Sequence, residues 1–277
     1  MTVLVTGATG NVGSQVVHEL GRRGMPVRAF VRDVPRAVAI LGEDVELAVG
    51  DFEDTASIAR ALDGVDQVFL SSADGPRKVA QEAAVMDACA RAQIALVVKA
   101  STLHADPASP LPPFAWHGES EKRLRRSGRP AVILRSAFYM TNVLGAIHDG
   151  KLLAPAGDGR VGMIDPADVG AVAAAILATG GHAGRTYGLT GPDAIGFADA
   201  AGLLGVDYVD LPPAAARDGF AAAGLPDWLA THLDGAFSLI RAGAFEEVTD
   251  TVRVLAGREP HDFAAFARAR SPRTVAA

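Results

Sequence analysis

Six short runs of β-branched and other apolar residues, each followed by a turn and an amphipathic stretch, constrain this chain more than any other feature. The runs cover residues 3–6, 27–31, 45–49, 67–70, 94–98 and 131–134. They are almost continuously apolar instead of alternating, as strands covered on both faces are. Between them apolar residues recur at helical spacing: Val12, Val16 and Leu20; Ile58 and Leu62; Val79, Ala83, Met86 and Ala90. This alternation predicts right-handed crossovers and an α/β fold, a Rossmann-like doubly wound parallel sheet.

Past about residue 150 the rhythm breaks. A turn cluster occupies 154–159, and Asp165-Pro166 opens an apolar helix to Ala178, Asp165 being suited to the N-cap and Pro166 to the first turn. Short strands are expected at 186–190 and 206–209, with helices at 197–204, 227–241, 249–255 and 262–267. The pattern predicts a first domain over residues 1–150 and a smaller C-terminal α/β part over 151–270, partly interleaved with it and shaping a substrate pocket. Residues 271–277 read as a frayed tail.

Several function classes are excluded early. The net charge of −6 over 277 residues argues against a nucleic-acid partner, which asks for a basic face. The single Cys89 rules out an internal disulfide framework and a cysteine-built zinc site, and fits a reducing cytoplasm. None of the seven His has zinc-ligand spacing, so no metal is expected. No apolar run approaches the ~20 residues that span a bilayer, and no leader precedes the first strand, so a cytoplasmic protein without a membrane partner is expected. The oligomeric state has no signature in the chain.

The motif Thr6-Gly7-Ala8-Thr9-Gly10-Asn11-Val12-Gly13 stands between the first strand and the first helix. Gly7 permits the tight turn, Gly10 lets backbone approach a pyrophosphate, and Gly13 lets the helix pack closely. The helix start offers free N–H groups and a positive dipole end to an anion. A dinucleotide-binding first domain follows. At the end of the second strand stand Arg32, suited to the 2′-phosphate of NADP, and Asp33, suited either to a ribose hydroxyl of NAD or to capping the next helix. Asp33 fits the cap, which favours NADP(H) and an NADP-binding Rossmann domain. Asp51 and Phe52 after the third strand are candidates for the adenine, and Ser71 and Ser72 after the fourth for the cofactor groove. Lys99, closing the fifth, reads either as a ligand or as a snorkelling side chain.

The residues 6–13, Arg32, 50–52, 97–101, 116–121, 134–142 and 189–192 together resemble the NmrA-like atypical short-chain dehydrogenase/reductases, and the likeness continues through 242–251 and 257–260. The resemblance implies an NAD(P)(H) binder, with quinone, azo and ketone reductases and weakly active redox sensors as relatives. Mainstream members of the superfamily pair a Tyr with a Lys four residues later. Here the positions four beyond Tyr139, Tyr187 and Tyr208 hold Val143, Gly191 and Pro212. On the helix expected at 114–127, His117 takes the Lys position and Pro113 the Tyr position. The resemblance makes His117, Ser101 and Tyr139 the catalytic candidates. His117 would supply a proton or a hydrogen bond, Ser101 would bond a substrate carbonyl, and Tyr139 is either a hydroxyl donor or a core aromatic. Phe138 and Asn142 are candidates for the substrate pocket. The expected reaction is hydride transfer from NADPH to a quinone, an aromatic ketone or a similar activated small-molecule acceptor. The alternatives are an NADP(H)-binding redox sensor and a cyclase or isomerase that retains the cofactor.

Overall fold

The computed structural model describes residues 1–270, so the tail expected at 271–277 lies outside the described residues. The first half runs β1 (Val3–Val5), α1 (Asn11–Arg22), β2 (Val27–Val31), α2 (Val34–Leu41), β3 (Glu46–Val49), α3 (Thr55–Ala61), β4 (Gln67–Leu70), α4 (Lys78–Arg91), β5 (Leu96–Thr102), α5 (Pro112–Arg126) and β6 (Ala131–Ser136). It continues through α6 (Met140–Leu144), β7 (Ile147–His148), β8 (Lys151–Ala154), β9 (Arg160–Val161), α7 (Pro166–Thr179), β10 (Thr186–Leu189), β11 (Ile195–Gly196) and α8 (Phe197–Leu204). The last elements are β12 (Asp207–Asp210), α9 (Pro213–Ala222), α10 (Asp227–Arg241), α11 (Thr251–Ala256) and α12 (Phe263–Arg270).

The chain divides into two compact units, and not by one cut near residue 150. The first comprises Met1–Ser109, Pro113–Arg135 and Pro166–Gly188; the second comprises Pro110–Pro112, Ser136–Asp165 and the described residues from Leu189 onward. The reason lies in the sheet: β10 joins it beside β6, so the segment carrying α7 and β10 belongs with the first half of the chain.

In the first unit a seven-stranded sheet has the order β10-β6-β5-β4-β1-β2-β3, with β1 parallel to both β2 and β4. The order reverses between β1 and β4, which opens a crevice at the carboxyl ends of those strands. On one face Leu4, Phe30, Ile58, Leu62, Val85 and Ile133 pack into a common core. On the other α7 lies tight against α1: a side chain at Gly170 would stand 2.6 Å from Gln15 Cβ. Each fully buried large apolar residue, such as Phe69 or Leu4, stabilises the fold by about 1.5–3 kcal/mol.

Two expectations shift. The fifth strand runs on to Thr102, so Lys99 and Ser101 lie inside it. The buried stripe of α4 is Lys78, Glu82, Val85, Met86, Ala88 and Cys89, with Val79 and Ala83 only half-buried and Ala90 exposed. The helix is turned because Lys78 and Glu82 face a buried charge on β5.

In the second unit β8 pairs parallel with β12, Lys151 opposite Asp207, and antiparallel with β7. β9 and β11 form a separate antiparallel ladder. Tyr208 donates its hydroxyl to the Ala154 carbonyl at 3.2 Å, and Arg241 donates to that of Pro155 at 2.7 Å.

Candidate functional site

At the crevice the glycine loop takes the form its residues dictate. Thr6 is buried, and its hydroxyl donates to the Ser71 carbonyl at 2.8 Å while accepting the Ser71 N–H at 2.9 Å, which ties the loop to the end of β4. Gly7 has φ +60, and a side chain there would also meet the Ser71 carbonyl oxygen at 2.8 Å. A Cβ on Gly13 would stand 2.2 Å from the Gly7 carbonyl oxygen, so only glycine allows α1 to start this close to the loop. The N-cap, Gly10, supplies no side-chain cap, and the first turn holds no acidic residue. Thr9 is half-buried and Asn11 exposed, whereas Val12 is buried in the core and offers only its backbone. The helix start thus points its N–H groups and positive dipole end at a crevice that no side chain of its own first turn neutralises. That donor set fits the diphosphate of a dinucleotide.

At the next strand ends Asp33 Oδ1 accepts the Arg36 N–H at 3.0 Å and caps α2, so its carboxylate is engaged by backbone. Arg32 is exposed and its Nη1 stands 3.7 Å from Asp51 Oδ2. Asp51 Oδ1 accepts the Glu53 N–H at 2.8 Å, and the Phe52 ring meets Phe30 edge-on with centroids 5.7 Å apart. Arg32, Asp51 and Phe52 therefore come together beside the crevice.

A buried polar cluster stands behind Ser72. Lys99 is fully buried; its Nζ lies 3.0 Å from Glu82 Oε2, donates to the Ala100 carbonyl at 2.8 Å and stands 3.5 Å from His117 Nδ1. Lys78 Nζ lies 3.2 Å from Glu82 Oε1 and 3.3 Å from Asp74 Oδ1, and donates to the Ser72 carbonyl at 3.0 Å. Ser72 donates its hydroxyl to Glu82 Oε1 at 3.1 Å. His117 Nε2 faces Asp74 Oδ1 at 3.4 Å. Burial alone would raise the Glu82 carboxyl, but the charges of Lys99 and Lys78 outweigh it and bring it down to about 2. Burial pulls Lys99 below the ordinary lysine value, against the attraction of Glu82. Burial, followed by repulsion from Lys78 and Lys99, lowers His117 to about 4 despite the pull of Asp74. Lys99 therefore does not snorkel, and both ring nitrogens of His117 face partners.

One helical turn further along α5, Glu121 is also fully buried. It accepts the Ser101 hydroxyl at 2.5 Å, Arg135 Nε at 2.9 Å and Nη2 at 2.6 Å, and Arg125 Nη2 at 3.0 Å. Burial would raise this carboxyl; the bonds from Arg135 and Ser101 hold it below the usual range. Phe138, Tyr139 and Asn142 belong to the second unit. There Phe138 packs edge-on against Phe197 at 5.9 Å, the half-buried Tyr139 stands at the N-cap of α6, and Asn142 is exposed on that helix. Cys89 is buried, and burial pushes its thiol up to about 12, which fits packing instead of reactivity.

Glu82, Lys78 and Asp74 were missed by pattern reading. A Lys and a Glu four residues apart look like a solvated surface pair. The available signal was Lys99 itself, since a charge in an apolar strand requires a buried counter-charge.

Fold, crevice and uncapped helix start define a dinucleotide-binding α/β protein. Residues 7–180, more than half of the chain, match the model of a family described as NAD(P)H-binding. An NAD(P)H azoreductase of Xenophilus azovorans is 33% identical over 97% of this chain and 98% of its own. A (4-alkanoyl-5-oxo-2,5-dihydrofuran-3-yl)methyl phosphate reductase of Streptomyces griseus is 36% identical over 94% of this chain and 95% of its own. Among solved structures, an NADPH-dependent quinone oxidoreductase of Escherichia coli complexed with NADPH superposes with a TM-score of 0.85 at 30% identity, covering 96% of this chain and 99% of that one. The chain belongs to the NAD(P)H-binding family. It is an NAD(P)H-dependent oxidoreductase. Among the described residues no helix is long and apolar enough to cross a membrane, and no group of three or more His, Cys, Asp or Glu is placed to hold a metal ion.

Proposed function

We propose that the protein transfers a hydride from NADPH to a quinone, an aromatic ketone or a similarly activated conjugated acceptor, without a Tyr-Lys pair. The observation that carries this reading is the end-to-end likeness to reductases whose names specify azo, quinone and conjugated-lactone chemistry. When bound, the nicotinamide nucleotide supplies the hydride and both its electrons. The chain's own residues do the rest. The glycine loop Gly7, Thr9, Gly10, Asn11, Val12 and Gly13 seats the diphosphate on the start of α1. Arg32 grips the 2′-phosphate, with Asp33 withdrawn into its cap, and Asp51 and Phe52 border the adenine. Ser71, Ser72 and Lys99 hold the shape of the groove beyond.

Activated acceptors are reducible with little acid catalysis, because the charge left by the hydride spreads over a conjugated system and water completes the protonation. This suits a site whose histidine is held neutral and whose Ser101 proton is engaged by Glu121. His117 is proposed to meet the acceptor oxygen; Ser101, expected to bond a substrate carbonyl, instead gives its only proton to Glu121 and holds that carboxylate in place. Tyr139, Phe138 and Asn142 are proposed to contribute substrate contacts, which Tyr139→Phe tests. The deciding assay follows NADPH consumption with a panel of quinones, azo dyes and polycyclic ketones. Turnover with at least one class is expected; no consumption across the panel would overturn the reading.

A further inference from the structure

Lys99 lies in the middle of a β-strand whose flanking residues, Val98 and Ala100, are buried and apolar. An ammonium only donates hydrogen bonds. Its contact with His117 Nδ1 at 3.5 Å therefore requires that nitrogen to be the acceptor, and the ring proton to sit on Nε2, 3.4 Å from Asp74 Oδ1. Charge balance reinforces the geometry. The groups facing the ring and its neighbours are Lys99 from β5, Lys78 and Glu82 from α4, and Asp74 from the loop before α4. Glu121, one turn along α5, is occupied by Ser101, Arg135 and Arg125. Two cations already match two carboxylates. A proton added to His117 would place an N–H against the Lys99 ammonium and leave a buried excess charge.

We propose that Lys99, anchored by Glu82, is a positioning residue for the reduction: it locks His117 as the neutral Nε2–H tautomer, so that the ring offers the acceptor a hydrogen bond instead of a proton. This rests on the reading of the protein as a reductase with His117 beside the acceptor. The acceptor gains a hydride and NADPH becomes NADP⁺. The negative charge developing on the acceptor oxygen is hydrogen-bonded by Nε2–H, and water supplies the proton that completes the product. Asp74, on an exposed loop and at a long distance, is the partner that the acceptor oxygen replaces. A neutral imidazole is an effective donor in this role, because it polarises the oxygen without first having to be protonated.

The test is histidine-ring NMR of the intact protein, with the His117 signals identified by their loss in His117→Asn, alongside kcat as a function of pH. Expected for the wild type are the nitrogen shifts of an Nε2–H imidazole, unchanged between about pH 5 and 8, and a kcat flat across that range. In Lys99→Met the tautomers should mix and the ring should titrate higher than in the wild type, still below the ordinary histidine value because burial and Lys78 remain, and kcat should begin to vary towards the acid end of the range. Should Lys99→Met fail to fold, Lys99→Met combined with Glu82→Met removes the pair together and keeps the buried volume. A wild-type ring that titrates in that range, or carries its proton on Nδ1, would overturn the lock even with full turnover. The expected ring signals in a protein that reduces no acceptor would instead refute the reductase reading, and with it the use made of the lock.

Discussion

Alanine substitutions at three glycines of α1 and its cap separate the space the fold needs from the space the nucleotide needs. At Gly13 the new methyl group would sit 2.2 Å from the Gly7 carbonyl oxygen and 2.7 Å from its carbonyl carbon, where ordinary contact begins at 3.4 Å. Both atoms are backbone, so the loop must move by roughly 1 Å, an overpacking cost of about 1–3 kcal/mol. The helix propensity of alanine returns up to about 1 kcal/mol of this. At Gly10 the closest atom is the same oxygen at 3.2 Å, which a shift of a few tenths of an ångström relieves. The Gly10→Ala protein should therefore melt within about 2 °C of the wild type. Its methyl group nevertheless occupies the approach to the N–H groups of α1, and NADPH affinity should fall at least about tenfold, or 1.4 kcal/mol. Gly21, in the last turn of the same helix, has nothing within 4 Å of its added Cβ. Gly21→Ala should raise the Tm by up to about 4 °C and leave affinity unchanged. Thermal unfolding and fluorescence titration with NADPH measure both quantities on the three variants. Wild-type affinity in both Gly10→Ala and Gly13→Ala would refute the placement of the diphosphate on this loop.

Arg32→Ala exchanges a weak exposed pair with Asp51 for the loss of a charge-assisted phosphate contact of about 1.5–3 kcal/mol, so the NADPH Kd should rise roughly 10- to 100-fold with the NADH Kd nearly constant; equal effects on both nucleotides would remove Arg32 from the 2′-phosphate. Glu121→Gln leaves Arg135 and Arg125 without their buried carboxylate at a cost near 3 kcal/mol, moderated because both guanidiniums reach solvent, and the Tm should fall by about 6–12 °C. A drop under about 2 °C would show the cluster to be unimportant for stability. His117 lies at about 4 in the folded protein against an ordinary 6.5, so acid favours the unfolded chain first. Stability should be constant above 6.5 and decline as pH falls towards 4, by about 3 kcal/mol in total. Urea unfolding at several pH values should show that limb in the wild type and lose it in His117→Asn.

Much of the first unit could be read in advance because its strands are covered on both faces and therefore apolar throughout. The expected runs at 27–31 and 67–70 coincide with β2 and β4; in the second unit the helices expected at 197–204 and 227–241 coincide with α8 and α10. β5 was cut short at residue 98 because Lys99 and Ser101 looked like residues beyond a strand's end. They are strand residues whose polarity is met by Glu82 and Glu121, and pairing of that kind leaves no periodic trace. β7, β9 and β11 have only two residues each, too few for any pattern. α9 begins at the second of two prolines in an alanine-rich stretch with a single buried residue, Ala216, so it shows no apolar stripe. The glycine loop was legible because its chemistry is local. The cluster around Lys99 was not, since its members come from β5, α4, α5 and a loop, and only the folded chain assembles them.

The return of α7 and β10 to the first sheet has a practical consequence for dissecting this protein. A gene fragment ending near codon 150 would encode a sheet without its β10 edge and an α1 with the groove for Gly170 left bare. Such a fragment is expected to be insoluble, and its failure to bind nucleotide would say nothing about the glycine loop. A joined version that bridges residues 135 and 166 directly follows the chain's own division and is the one worth expressing.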